Sequence, residues 1–260
     1  MILAQIIEKK REELKAQKEN LPLIEIQERL KDVSFDKKHN FKHNISRPHQ
    51  INLIAEVKKS SPSKGIIRDN FDPIEISRVY QANGAAAISV LTEKEFFGGS
   101  LEHLELIKKE VTLPILRKDF IIDEYQIYES RLSGADSILF IADILAKEEL
   151  FHFSSISNEL GMDVVVEVHS EEDLEKALSA DAQIVGINNR DLHSFEVNIE
   201  TTSRLKRFIP KDKILISESG IRSYEDVMFL KSLEVNAVLI GEALLKSEDI
   251  ASRIKEIMGY

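Results

Sequence analysis

The sequence predicts an α/β fold closed into a (β/α)8 TIM barrel with an additional N-terminal helical segment. Three observations predict it: eight short apolar runs rich in β-branched residues, helical periodicity in the intervals between them, and capping residues or glycines at many of the joints. Continuous apolar runs, rather than alternating ones, belong to parallel strands buried on both faces. Eight strands each followed by a helix favour closure over an open doubly wound sheet, the alternative arrangement of the same units. The 260 residues, 43% of them hydrophobic, suffice for one such domain over residues 1–260.

Residues 1–50 precede the first strand and are not needed by a barrel. Ile2, Leu3, Ile6, Ile7 and Leu14 recur at helical spacing, and Ile24, Ile26 and Leu30 mark a second short helix. The pattern does not choose between a plug under the barrel and a cover near its mouth. The strands are then expected at Ile51–Lys58, Ala86–Thr92, Pro114–Phe120, Ser137–Asp143, Asp163–His169, Ile184–Arg190, Ile214–Gly220 and Ala237–Gly241. Helices are expected at Pro73–Asn83, Leu101–Glu110, Asp123–Ser133, Lys147–Leu160, Glu171–Leu178, Ile199–Phe208, Tyr224–Leu233 and Glu248–Met258. Asp72 before Pro73, Asp123, Ser170 and Ser223 supply start signals, and Gly84, Gly134 and Gly161 follow the ends of three helices.

Composition narrows the function. The chain has no cysteine, which removes disulfides and thiolate metal sites and fits a reducing cytoplasm. Met1 to Lys18 is too charged for a signal peptide, and no apolar run approaches the ~20 residues of a membrane span. A net charge of −10 without a basic stripe repels nucleic acid. The seven histidines are scattered, His39 and His43 read as solvated, and no nucleotide-binding glycine motif is present, so neither metal nor cofactor is expected. An acidic chain that takes an anionic substrate needs a local basic site.

Reacting groups of such a barrel sit at the carboxyl ends of the strands. The period of two places Glu56 and Lys58 on one face of the first run, and Leu116 and Lys118 share a face of the third. Glu167 in the fifth run, Asn188 in the sixth and Glu218 in the seventh join them at one mouth. Each alone could be a rim salt bridge, but two lysines and three carboxylates in one cavity shift one another's proton affinities, as acid–base chemistry requires. Ser219-Gly220 after the seventh strand and Gly241 after the eighth lie where barrels often hold phosphate. The loop Ser60–Gly65 adds hydroxyls and backbone donors.

These residues lie within segments that resemble the indole-3-glycerol phosphate synthases. The similar segments are Ile54–Ser63, Ser89–Glu93 with Phe96–Ser100, Leu116–Phe120, Val166–His169, Gly186–Leu192, Ser217–Ile221 and Leu239–Leu244. The resemblance implies ring closure of 1-(2-carboxyphenylamino)-1-deoxyribulose 5-phosphate, with loss of CO2 and water and no cofactor. It also implies that residues 1–50 cover the barrel mouth. Carried over by position, Lys118 is the general acid for the ketone oxygen, Glu167 assists at the departing hydroxyl, and Glu56 with Lys58 forms a second acid–base pair. Asn188 and Glu218 orient the ring carboxylate and sugar hydroxyls. Ser61, Ser219, Gly220, Gly241 and Glu242 receive the phosphate, Phe97, Phe120 and Leu239 line the ring pocket, and Arg190 joins the lysines in offsetting substrate charge. The partner is thus an anionic small molecule rather than nucleic acid or membrane, acted on by a monomer or weak homo-oligomer. The rivals are another phosphosugar barrel such as phosphoribosylanthranilate isomerase, or a barrel without chemistry.

Overall fold

A computed structural model describes residues 2–32, 40–62, 64–191 and 194–260. Met1, His39, Ser63 and Leu192, named above, lie outside them.

Eight parallel strands close into a barrel: β1 (Asn52–Val57), β2 (Ala87–Leu91), β3 (Ile115–Lys118), β4 (Ser137–Ile141), β5 (Asp163–Val168), β6 (Ile184–Asn188), β7 (Ile214–Glu218) and β8 (Ala237–Ile240). All eight fall inside the runs read from the sequence. The closing pair is β1 with β8, where Ile54 stands opposite Leu239. Most strands stop short of the predicted ends because their last residues turn into loops. At β3 the Asp119 side chain accepts its neighbour's backbone N–H, from Phe120 at 2.8 Å, a local bond that competes with the ladder.

The alternation of side chains makes two cores. Leu53, Ala55, Val57, Ile88, Val90, Phe140 and Val166 face the helices. Ile54, Ala87, Leu116, Leu139, Val165, Ile184, Ile216, Ala237 and Leu239 fill the barrel interior.

Among the described residues three helices precede the barrel: α1 (Ile2–Asn20), α2 (Leu23–Lys31) and α3 (Asn40–Ile45). The crossover helices are α4 (Pro73–Ala82), α5 (Leu101–Glu110), α6 (Glu124–Leu132), α7 (Lys147–Glu159), α8 (Glu171–Ser179), α9 (Glu200–Lys206) and α10 (Tyr224–Ser232). A short α11 (Glu242–Leu245) precedes α12 (Ile250–Met258). The predicted caps act as such: the Asp72, Asp123, Ser170 and Ser223 side chains each accept N–H groups of the following first turn. Asp249 caps the last helix, which therefore begins at Ile250 and not at Glu248. A two-residue hairpin, Ser60–Ser61 with Gly65–Ile66, was not read from the sequence.

The N-terminal segment reaches both ends of the barrel. Lys10 of α1 pairs with Asp119, just beyond β3, at the mouth end. In α3 the Lys42 N–H donates to Asp163, the first residue of β5, and Asn44 donates to the Ala86 carbonyl just before β2, at the opposite end. Phe41 and Ile45 of α3 are fully buried. Ile24, counted on the apolar face of α2, instead points outward at 63% exposure. Phe41→Ala opens a cavity under the barrel and is expected to cost about 3–5 kcal/mol in urea denaturation. A loss under 1 kcal/mol would show that α3 is not part of the core.

Candidate active site

The barrel mouth opens on a cavity of about 720 Å³. All fifteen residues singled out from the sequence line it: Glu56, Lys58, Ser61, Phe97, Lys118, Phe120, Glu167, Asn188, Arg190, Glu218, Ser219, Gly220, Leu239, Gly241 and Glu242. Strand register explains the gathering. Glu167 on β5 stands opposite Gly186 on β6, Asn188 on β6 opposite Glu218 on β7, and Glu218 opposite Leu239 on β8. Inward positions on neighbouring strands therefore converge from several directions.

Lys118 is the centre. Its ammonium lies 2.7 Å from Glu167 Oε2 and 2.8 Å from Glu218 Oε2. The other Glu167 oxygen accepts from Asn188 Nδ2 at 2.9 Å. Lys58 pairs with Glu56 on the far side of the mouth. Burial works against the Lys118 charge, but the carboxylates of Glu167, Glu218 and Glu56 outweigh it and hold the ammonium well above the ordinary lysine range.

Glu218 has the opposite problem. Desolvation inside the barrel raises its carboxyl from 4.5 to about 7; the Lys118 ammonium resists and the Glu167 and Glu56 carboxylates add to the rise. Its Oε1 is buried with no hydrogen-bond partner, while Oε2 is taken by Lys118. A carboxyl whose folded value is raised favours the fold most below the unfolded value near 4.5, and that contribution is lost as pH climbs through about 7. Glu218→Gln removes the cost of ionisation. Its melting temperature is expected to exceed that of the parent at pH 8, with a smaller gain at pH 5.5; an equal gain at both values would contradict the assignment.

Two glycines make room for these carboxylates. A Cβ at Gly186 would come within 2.9 Å of Glu218 Oε1, and one at Gly241 would fall on the Glu56 carboxylate. Gly241 thus allows close approach of a side chain as well as of backbone to the cavity. On the apolar side the Phe97 and Phe120 rings lie 6.1 Å apart, with Leu239 also lining the wall. Ser61 Oγ is buried without a partner beside this cavity. Arg190 lies 3.9 Å from Glu242 and donates to the Phe195 carbonyl.

Sequence reading missed Leu139 and Ile141, which complete the apolar lining from β4. From Ile138 to Ala142 that run is unbroken apolar, so its period-two signal is silent about which of these residues face inward. Lys64, read only as part of the Ser60–Gly65 loop, and Arg222, not singled out, also line the cavity; in loops no periodicity marks direction. Among the described residues no group of three potential His, Cys, Asp or Glu ligands is arranged to hold a metal ion.

The fold and this cavity define a (β/α)8-barrel enzyme whose mouth gathers paired acids and bases beside an apolar wall. A family model described as indole-3-glycerol phosphate synthase matches residues 3–257, and the chain belongs to that family of carboxy-lyases in tryptophan biosynthesis. An indole-3-glycerol phosphate synthase of Caldanaerobacter subterraneus subsp. tengcongensis is 50% identical over 258 residues, covering 99% of this chain and 98% of its own. One from Alkaliphilus metalliredigens is 47% identical over 257 residues, with 99% and 98% covered. Among solved structures, 3-hexulose-6-phosphate synthase from Salmonella typhimurium superposes with a TM-score of 0.64 at 15% identity, over 80% of this chain and 97% of that one. At that identity the likeness is one of fold alone.

Proposed function

We propose that Lys118, Glu167, Glu56 and Lys58 carry the proton transfers by which 1-(2-carboxyphenylamino)-1-deoxyribulose 5-phosphate becomes indole-3-glycerol phosphate, CO2 and water. The observation that carries this reading is the Lys118 ammonium held between Glu167 and Glu218 inside the mouth.

The ring carbon that bears the carboxylate attacks the ketone carbon, and Lys118 gives its proton to the ketone oxygen. The developing alkoxide is more basic than a lysine amine, so the transfer is downhill even from a strongly held ammonium. Electrons of the breaking carbon–carboxylate bond return to the ring, which regains aromaticity as CO2 leaves. The new hydroxyl then departs as water while the adjacent CH2 loses a proton, forming the second ring's double bond. Glu167 assists at the departing hydroxyl, and Glu56 with Lys58 supplies the second acid–base pair. A preorganised ammonium in a cavity with little water stabilises such a transition state by several kcal/mol.

Binding follows from the remaining lining. Glu218 Oε1, lacking a partner, accepts from a substrate N–H or hydroxyl, and Asn188 helps orient the ring carboxylate. The Ser61 hydroxyl and the backbone at Ser219, Gly220, Gly241 and Glu242 receive the phosphate. Phe97, Phe120 and Leu239 enclose the aromatic ring, while Lys58, Lys118 and Arg190 meet the local charge that an acidic chain must supply to a polyanion. Helix α1 covers part of the mouth. The absence of cysteine fits a reducing cytoplasm, and among the described residues no helix is long and apolar enough to cross a membrane.

The test is the ring-closure assay: indole fluorescence should rise in step with CO2 release. A preparation that instead interconverts the isomerase substrate, with no indole fluorescence from the ring-closure substrate, would overturn the reading.

A further inference from the structure

We infer that Lys10, on the helix that precedes the barrel, is a positioning residue that sets the Phe120 side of the aromatic wall of the ring pocket through Asp119. The inference rests on the reading of that pocket given above.

Lys10 occupies an apolar slot of its helix. Leu3, Ile6 and Leu14 are the buried neighbours on its face, and Lys10 itself is buried with them. A buried ammonium must be paired. It lies 3.0 Å from Glu13 Oε2 and 3.1 Å from Asp119 Oδ1. Burial opposes its charge, but the Asp119 and Glu13 carboxylates outweigh that and keep it protonated.

Asp119 is the residue between Lys118 and Phe120. Its Oδ1 also accepts the Phe120 N–H at 2.8 Å, while Oδ2 takes Thr92 Oγ1 at 2.6 Å and Arg117 at 3.2 Å. The carboxylate that Lys10 grips therefore fixes the backbone where Phe120 enters the pocket.

Glu93 does the same for the Phe97 side of the wall. It is buried, and its carboxylate accepts the backbone N–H groups of Glu95, Phe96 and Phe97 at 3.1, 2.8 and 2.9 Å. Burial raises its proton affinity; the bonds from this turn and the Lys10 charge oppose the rise. Lys10 thus grips the carboxylate that holds Phe120, whose ring is tilted against that of Phe97 with centroids 6.1 Å apart. Lys118 has its own pairing with Glu167 and Glu218. Loss of Lys10 should therefore loosen ring binding more than proton transfer.

The test compares Lys10→Met and Lys10→Arg with the active parent in steady state. For Lys10→Met, KM is expected to rise about tenfold with kcat within about threefold, the pattern of a lost binding interaction. Inhibition by inorganic phosphate, which probes only the other end of the cavity, should be unchanged. Lys10→Arg should recover most of the KM. A Met variant with a lower melting temperature but the parent's KM would show a purely structural role and overturn the inference, as would equal weakening of phosphate inhibition. Should Lys10→Met not fold, Lys10→Gln is read in its place, with the same rise in KM in support and an unchanged KM against. An inactive parent would fault the proposed reaction rather than the role of Lys10.

Discussion

Lys118→Ala is expected to lower kcat by at least about 10²-fold while the far-UV circular dichroism stays that of the parent, because a positioned general acid contributes on that scale. The fold survives because its core rests on the apolar layers, whereas Lys118 lies at the rim of the interior. The variant leaves Glu167 and Glu218 without the ammonium that both contact. Two carboxylates so close cannot both stay ionised, so the melting temperature should fall more at pH 8 than at pH 6. Lys118→Arg separates charge from acidity. Arginine can replace the ion pairs yet does not give up a proton. Its turnover should remain near that of the alanine variant; recovery to the parent's rate would mean that charge alone suffices and that Lys118 is not the acid.

Gly241→Ala should lower kcat/KM by about 10²-fold, the effect of displacing a reacting group by roughly an ångström. The φ there is −127°, outside the left-handed region that favours glycine. The effect comes from contact: the new Cβ would occupy the position of the Glu56 carboxylate, which is paired with Lys58. Inorganic phosphate should also inhibit the variant less, because Gly241 stands at the proposed phosphate cradle. A wild-type kcat/KM would remove Glu56 from the acid–base machinery.

Much of this was legible because apolar strands make polar residues conspicuous. Glu56, Lys118, Glu167, Asn188 and Glu218 interrupt largely apolar runs, and a parallel barrel brings all strand tips to one mouth. Where the background changes, the signal fails. In the fourth run the inward Leu139 and Ile141 are as apolar as the outward Ile138 and Phe140, so they left no mark. The N-terminal segment was split between plug and cover because amphipathicity reports which face is buried but not against what. The structure places α1 by the mouth and α3 at the other end. Lys10 did leave a trace: it fills the gap in the helical series Leu3, Ile6, Leu14. Its meaning depends on Asp119, distant in sequence, which no local pattern could supply. The same holds for the clash that keeps Gly186 small, since Glu218 reaches it only through strand register.

The most direct test of the central claim is a crystal structure with a substrate analogue whose ketone is reduced to the alcohol. Lys118 Nζ is predicted to lie about 3 Å from the alcohol oxygen, with the phosphate on the backbone at Gly220 and Gly241 and the ring against Phe97 and Phe120. An analogue seated with its phosphate elsewhere, or with that oxygen out of reach of Lys118, would contradict it.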